Sequence, residues 1–178
     1  MFTTIYLPNF YLQAAMRHQP VLCEKPVALI EEQEKKPVII QVNEAAEKVR
    51  ICKGMTPSQA LARSLQVVIK VRARTQEKSI QEILLHYAFT LSPFVEATAP
   101  GICTVQFTDH RHLQAKVVRV IKQLAKCEIR AQAGITATPD TSFLAAHLAR
   151  PVLQIENAKE FLAPLPIETL ATSSQDFW

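Results

Sequence analysis

Glycine is scarce in this chain, with three residues in 178, at Gly54, Gly101 and Gly134. That excludes a glycine-rich phosphate loop, and neither G-x-x-x-x-G-K-[ST] nor G-x-G-x-x-G occurs. Cysteine is sparse too. Cys23, Cys52, Cys103 and Cys127 are widely spaced with no C-x-x-C pair. They indicate neither a zinc site nor a redox motif, and read as reduced, mostly buried thiols. No apolar run reaches the length of about 18 residues that a membrane-spanning helix needs. The opening stretch Met1 to Leu7 lacks the basic and long apolar regions of a signal peptide, so a cytoplasmic protein is expected.

What is present is an ordinary globular composition: 48% hydrophobic and 20% charged residues, with a formal net charge of +4. Such a chain can bury a core, as one domain or as two small lobes. A mildly basic balance is compatible with a nucleic-acid partner and equally with none.

Strands and helices alternate along the chain. Thr3 to Leu7 reads as a short strand stopped by Pro8-Asn9, and Phe10 to His18 as a helix. Pro26 to Ile30 and Pro37 to Val42 read as the arms of a hairpin around the charged turn Glu31 to Lys36. Asn43 to Val49 is a short helix ending near Gly54. Thr56-Pro57-Ser58-Gln59 opens another, with Thr as cap and Pro at the first helical position. The β-branched stretch Gln66 to Val71 is a strand. Ile80, Ile83, Leu84 and Tyr87 recur at helical spacing within Thr75 to Thr90, as do Val117, Val120, Ile121 and Leu124 within Leu113 to Lys126. Phe94 to Thr98, Gly101 to Thr108, Glu128 to Thr136 and Val152 to Ile155 read as strands, and Thr141 to Ala149 as a helix stopped by Pro151. Asp109 is the expected N-cap of the helix at Leu113. Two long helices on one sheet give an α+β, ferredoxin-like pattern, with the stretch from Gln19 to Val71 as an insertion.

Four blocks then stand in a familiar order. They are Tyr6-Leu7-Pro8-Asn9-Phe10-Tyr11-Leu12-Gln13, followed by Lys25-Pro26-Val27; Asn43-Glu44-Ala45-Ala46-Glu47 to Gly54-Met55; Ala99-Pro100-Gly101-Ile102-Cys103-Thr104; and Gly134-Ile135-Thr136, followed by Ala149-Arg150-Pro151. In order and spacing they resemble the palm and fingers of the Y-family, or translesion, DNA polymerases. The resemblance implies a palm over residues 1–18 and 72–165, a fingers insertion over 19–71 and a tail over 166–178. The family continues into a thumb and a little finger, and neither finds a match after Pro166.

The departures carry the functional expectation. Nucleotide transfer in the family uses two metal ions held by carboxylates. At the matching positions this chain has Tyr6, Gly101 and Ile102, and the second aspartate of the first strand is matched by Pro8. The Tyr and Arg that hold the incoming triphosphate are matched by Glu44 and Glu47, which would repel it. Tyr11 stands where the family has its sugar-discriminating ring, and reads otherwise as a packed core aromatic. Arg150 stands at the last basic position, and reads otherwise as a solvated helix-end charge. Arg72 and Arg74, with Lys70, read as a DNA-backbone contact or as a charged strand edge. Asp109-His110-Arg111-His112 lacks the further ligands of a metal site. No metal and no cofactor is expected.

The chain is similar to the inactive, ImuB-like members of the family. That resemblance implies a non-catalytic adaptor in damage-induced translesion synthesis. The implied partners are a sliding clamp, a separate replicative-type error-prone polymerase and a RecA-like protein, with DNA itself as a further partner. The alternative reading is a pseudo-polymerase that binds primer-template or single-stranded DNA.

Overall fold

The computed structural model describes residues 1–31, 36–167 and 169. In chain order the elements are β1 (Phe2–Tyr6), α1 (Phe10–Met16), a 3-10 turn (Pro20–Glu24), β2 (Val27–Ile30), β3 (Ile39–Val42), α2 (Glu44–Lys48), α3 (Pro57–Arg63) and β4 (Val68–Val71). They continue with α4 (Arg74–Phe89), β5 (Val95–Ala99), β6 (Ile102–Gln106), α5 (Leu113–Lys126), β7 (Gln132–Thr136), α6 (Pro139–Leu148), β8 (Val152–Gln154) and α7 (Ala158–Leu162). They form two compact units, one of Met1–Pro8 with Gln81–Trp178 and one of Asn9–Ile80. The expected turn at 31–36 and tail at 166–178 lie largely outside the described residues.

The first unit is built on a sheet of order β5-β6-β1-β7-β8. β1 pairs antiparallel with β6 and β7, while β7 and β8 run parallel because α6 carries the chain across between them. So the α+β, palm-like expectation holds, with one parallel pair added to the antiparallel sheet. One face carries Ile5, Leu7, Cys103, Val105, Ala133 and Ile135, all fully buried. The apolar stripes of the two long helices cover it, with Leu84 and Ala88 from α4 and Val117, Val120 and Leu124 from α5. The other face carries Thr4, Tyr6, Thr104 and Gly134 and receives α6.

Gly134 explains why its block needs glycine. A Cβ there would run into the backbone of Ser142 and Ala146 on α6. Beside it a directed hydroxyl chain crosses the sheet. Ser142 Oγ donates to the Pro139 carbonyl (2.7 Å), so it accepts from Thr4 (2.7 Å). Thr4 then accepts from Thr104 (3.2 Å), and Thr104 from Thr98 (2.9 Å).

Two expectations are corrected at α5. Its N-cap is His112, in the left-handed region (φ 54), while Asp109 accepts instead from the Arg111 amide at 3.0 Å. The strand expected from Glu128 begins only at Gln132. Glu128 takes φ 61 and the Ile129 amide bonds back to the Leu124 carbonyl (3.0 Å), so these residues close the helix.

The second unit holds a sheet of order β3-β2-β4, with the expected β2–β3 hairpin and a parallel β2–β4 pair. Thr56 and Gln59 form a full capping box (3.3 and 2.8 Å), as the sequence signal predicts. Asn43 does more than cap α2. Its side-chain oxygen accepts from Ala46 (3.0 Å) and from Val27 (2.9 Å), and its nitrogen donates to Lys25 (2.8 Å). A single residue thereby pins a helix start to a strand start.

Candidate functional site

In the first unit, positions far apart in sequence meet at one end of the sheet. Tyr6 ends β1 directly opposite Ile102 on one side and Gln132 on the other. Gly101 turns the β5–β6 hairpin with φ +75, a conformation that favours glycine. Its carbonyl accepts from the Leu7 amide (2.9 Å) and its amide donates to Gln81 Oε1 (2.8 Å). Arg150 reaches the same end, because the Pro151 carbonyl accepts from Ala133 (2.8 Å), next to Gln132. Tyr6, Gly101, Ile102 and Arg150 therefore lie at the same end of the sheet. Pro8 follows just past the end of β1.

Half-buried rings pack together at this end. Tyr6 stacks on His147 of α6 with centroids 4.0 Å apart and planes at 22°, and Phe143 lies 4.5 Å from the same imidazole. His147 Nδ1 lies 2.9 Å from the Phe143 carbonyl, which can only accept. Nδ1 therefore carries a proton, and Nε2 is buried with no partner among the described residues. Ile102 is 3% exposed, so its aliphatic chain is sealed into the core. None of Tyr6, Gly101 and Ile102 offers a carboxylate oxygen, the ligand that hard divalent cations require. Arg150 stands exposed just beyond α6.

His147 and Phe143 did not emerge from the sequence. A helical i, i+4 aromatic pair reads as core packing. Only the tertiary contact with Tyr6, from the other end of the chain, gives the pair its place.

In the second unit the structure brings Tyr11 and Arg72 together. The Arg72 guanidinium lies 3.9 Å above the Tyr11 ring centroid, a cation–π contact. Arg72 also donates to both Glu77 oxygens (2.9 and 2.6 Å) and to Glu31 (2.8 Å), to which Arg74 donates as well (3.0 Å). The Arg72 and Glu77 side chains are only 15% and 10% exposed. The forked hydrogen bonds that Arg72 donates to Glu77 hold its charge even more firmly than usual, against the cost of burial. For Glu31, burial alone would raise the pKa, but the combined hydrogen bonds and charges of Arg72 and Arg74 hold it below the ordinary carboxylate value.

Glu44 and Glu47 are exposed in the first turn of α2. There they complement the positive end of the helix dipole, and no basic side chain is paired with them among the described residues.

The chain matches the sequence profile of the impB/mucB/samB family over residues 5–147. No protein among those of curated function matches it. Among solved structures it is similar to DinB from Sulfolobus solfataricus, with a TM-score of 0.80 at 13% identity over 94% of this chain and 52% of that one. It is also similar to Dbh DNA polymerase in an insertion ternary complex, with a TM-score of 0.82 at 13% identity, covering 94% and 53%. A post-insertion binary complex of Dbh gives 0.82 at 15% identity, covering 94% and 52%. The chain thus spans about half the length of the solved structures it matches.

Proposed function

The chain belongs to the impB/mucB/samB family of Y-family DNA polymerases, and from that premise we propose that it is a non-catalytic member, an adaptor in DNA repair and damage-induced translesion synthesis. In this reading residues 1–18 and 72–165 are the palm and 19–71 the fingers. One observation carries it. At the sheet end where the family's metal-binding carboxylates are matched by Tyr6, Gly101 and Ile102, the side chains that gather are the half-buried Tyr6–His147–Phe143 stack, with no carboxylate among these positions. Two-metal nucleotide transfer needs anionic oxygens there to hold the cations that clamp the attacking and leaving groups. A stacked phenol ring, a glycine and a buried isoleucine supply none.

The second unit supports the same reading. One face of the Tyr11 ring is covered by Arg72, which Glu31 and Glu77 fix in place. Exposed Glu44 and Glu47 would repel a triphosphate. What survives is the fold itself, a surface that partners of a working polymerase could still recognise. The partners in this proposal are a sliding clamp, a replicative-type error-prone polymerase and a RecA-like protein, in the cytoplasm. Among the described residues no helix is long and apolar enough to cross a membrane.

Two experiments test the proposal. Primer extension with Mg²⁺ or Mn²⁺ should give no incorporation by the purified chain, and incorporation abolished by Arg150→Ala would overturn the non-catalytic reading. Affinity capture from DNA-damaged cells of the source should recover a clamp, a polymerase or a RecA-like protein. Recovery of nuclease-sensitive DNA contacts alone would replace the adaptor with a DNA-binding module.

A further inference from the structure

The positive charge of this chain is not spread evenly. Its excess is 20 basic over 16 acidic residues, and five of the basic ones are Arg111, Lys116, Arg119, Lys122 and Lys126, in and just before α5. No acidic residue occurs between Asp109 and Glu128. Without those five cations the chain would be slightly acidic.

The helix sorts these residues by face. Leu113, Val117, Val120, Ile121 and Leu124 are buried toward the sheet. Arg119, Lys122 and Lys126 are exposed, with Lys116 half-buried at the margin. At 100° per residue, the four cations fall in one sector roughly opposite the buried stripe. They extend about 15 Å along the axis. Among the described residues no carboxylate pairs with any of the four. Arg72 and Arg74, by contrast, are paired with Glu31 and Glu77. Within this unit the neighbouring α4 adds one exposed carboxylate, Glu82.

We propose that the solvent face of α5 binds the phosphate backbone of a nucleic-acid strand. This surface lies on the side of the sheet that α5 covers, opposite the side that carries Tyr6 and receives α6, so it is separate from the candidate site and independent of the adaptor reading. A stripe of unpaired cations calls for a polyanion, whose condensed counterions it would release on binding. An acidic protein partner fits less well. Protein interfaces depend on buried apolar and aromatic anchors, and none of the chain's large exposed apolar side chains lies on α5. Phosphate also accepts the forked donation that Arg119 offers.

The test is fluorescence anisotropy of the full chain with a labelled single-stranded DNA of about 20 nucleotides. Four phosphate contacts give a log–log salt slope of about −2.8, so affinity should fall about 50-fold between about 50 and about 200 mM salt. The variant K116Q/R119Q/K122Q/K126Q should lose most of that slope and at least about tenfold in affinity at the lower salt. Glutamine is a comparable helix former, so its circular dichroism and melting should match the parent. A folded variant that keeps the parental affinity and slope would overturn the proposal, as would no binding by the parent at the lower salt. Polyglutamate of matched charge should compete much less well than the oligonucleotide. Equal competition would make the face a surface for acidic protein and sink the nucleic-acid assignment.

Discussion

Replacing Arg72 by Met should destabilise the protein by about 3 kcal/mol. The substitution keeps an unbranched apolar stem and removes the guanidinium. That deletes a forked ion pair to Glu77 (2.9 and 2.6 Å), a hydrogen bond to Glu31 (2.8 Å) and the contact with Tyr11 (3.9 Å). Breaking a buried pair from one side costs about 3–5 kcal/mol, because the abandoned charge stays desolvated. The Glu77 side chain is 10% exposed and that of Glu31 is 21% exposed, so water reaches part of the network and lowers the figure. The lost cation–π contact adds about 1 kcal/mol. For a chain of 178 residues the total corresponds to a fall of about 6–12 °C in melting temperature. Urea denaturation followed by circular dichroism gives the number. A double-mutant cycle with Glu77→Gln isolates the pair, and should show a coupling of at least about 1 kcal/mol. If Arg72→Met lies within about 0.5 kcal/mol of the parent, or the cycle is additive, the network behaves as a solvated surface cluster. The claim that Arg72 is committed to the fold would then fail.

Three further outcomes follow from the same geometry. Because Arg72 and Arg74 depress the Glu31 pKa, the stability this carboxylate contributes is complete above its ordinary pKa of 4.5 and is lost as pH falls through the lower folded value; melting across pH 3–7 should show an acid-side loss that Arg72→Met reduces. Gly134→Ala should cost about 3 kcal/mol or more, seen as loss of soluble, cooperatively melting protein, since the new Cβ meets helix backbone rather than a movable side chain. Iodoacetamide with mass-spectrometric readout should label exposed Cys23 and Cys52 in the folded protein and spare Cys103, whose thiol burial pushes up to about 12, until urea opens the core.

Local signals in the sequence determined a good deal by themselves. Helical spacing located α4 and α5, Thr56-Pro57 with Gln59 located the start of α3, apolar runs around a charged turn located the hairpin, and a β-branched run located β4. Each depends on residues within a turn or two of one another, which a linear reading can compare. The four blocks indicated the family. Short signals failed where the backbone turned into the left-handed region. The left-handed Glu128 and the helix-closing amide of Ile129 took the first residues of an expected strand, and His112 displaced Asp109 as the cap. The 3-10 turn at Pro20–Glu24 and α7 at Ala158–Leu162 are too short to show a period.

Only the tertiary structure decided what fills the two places of interest. Tyr6 meets His147 because β1 pairs with β7 and α6 packs across both, and no spacing rule links residues at opposite ends of a chain. Arg72, read from sequence as a strand-edge or DNA-facing charge, turns onto Tyr11 because Glu31 and Glu77 converge on it from separate segments. A side chain's identity sets which partners it can accept. Which partner it receives depends on how strands and helices distant in sequence are stacked, since a charge or a ring entering the interior takes the one arrangement that leaves it paired and packed.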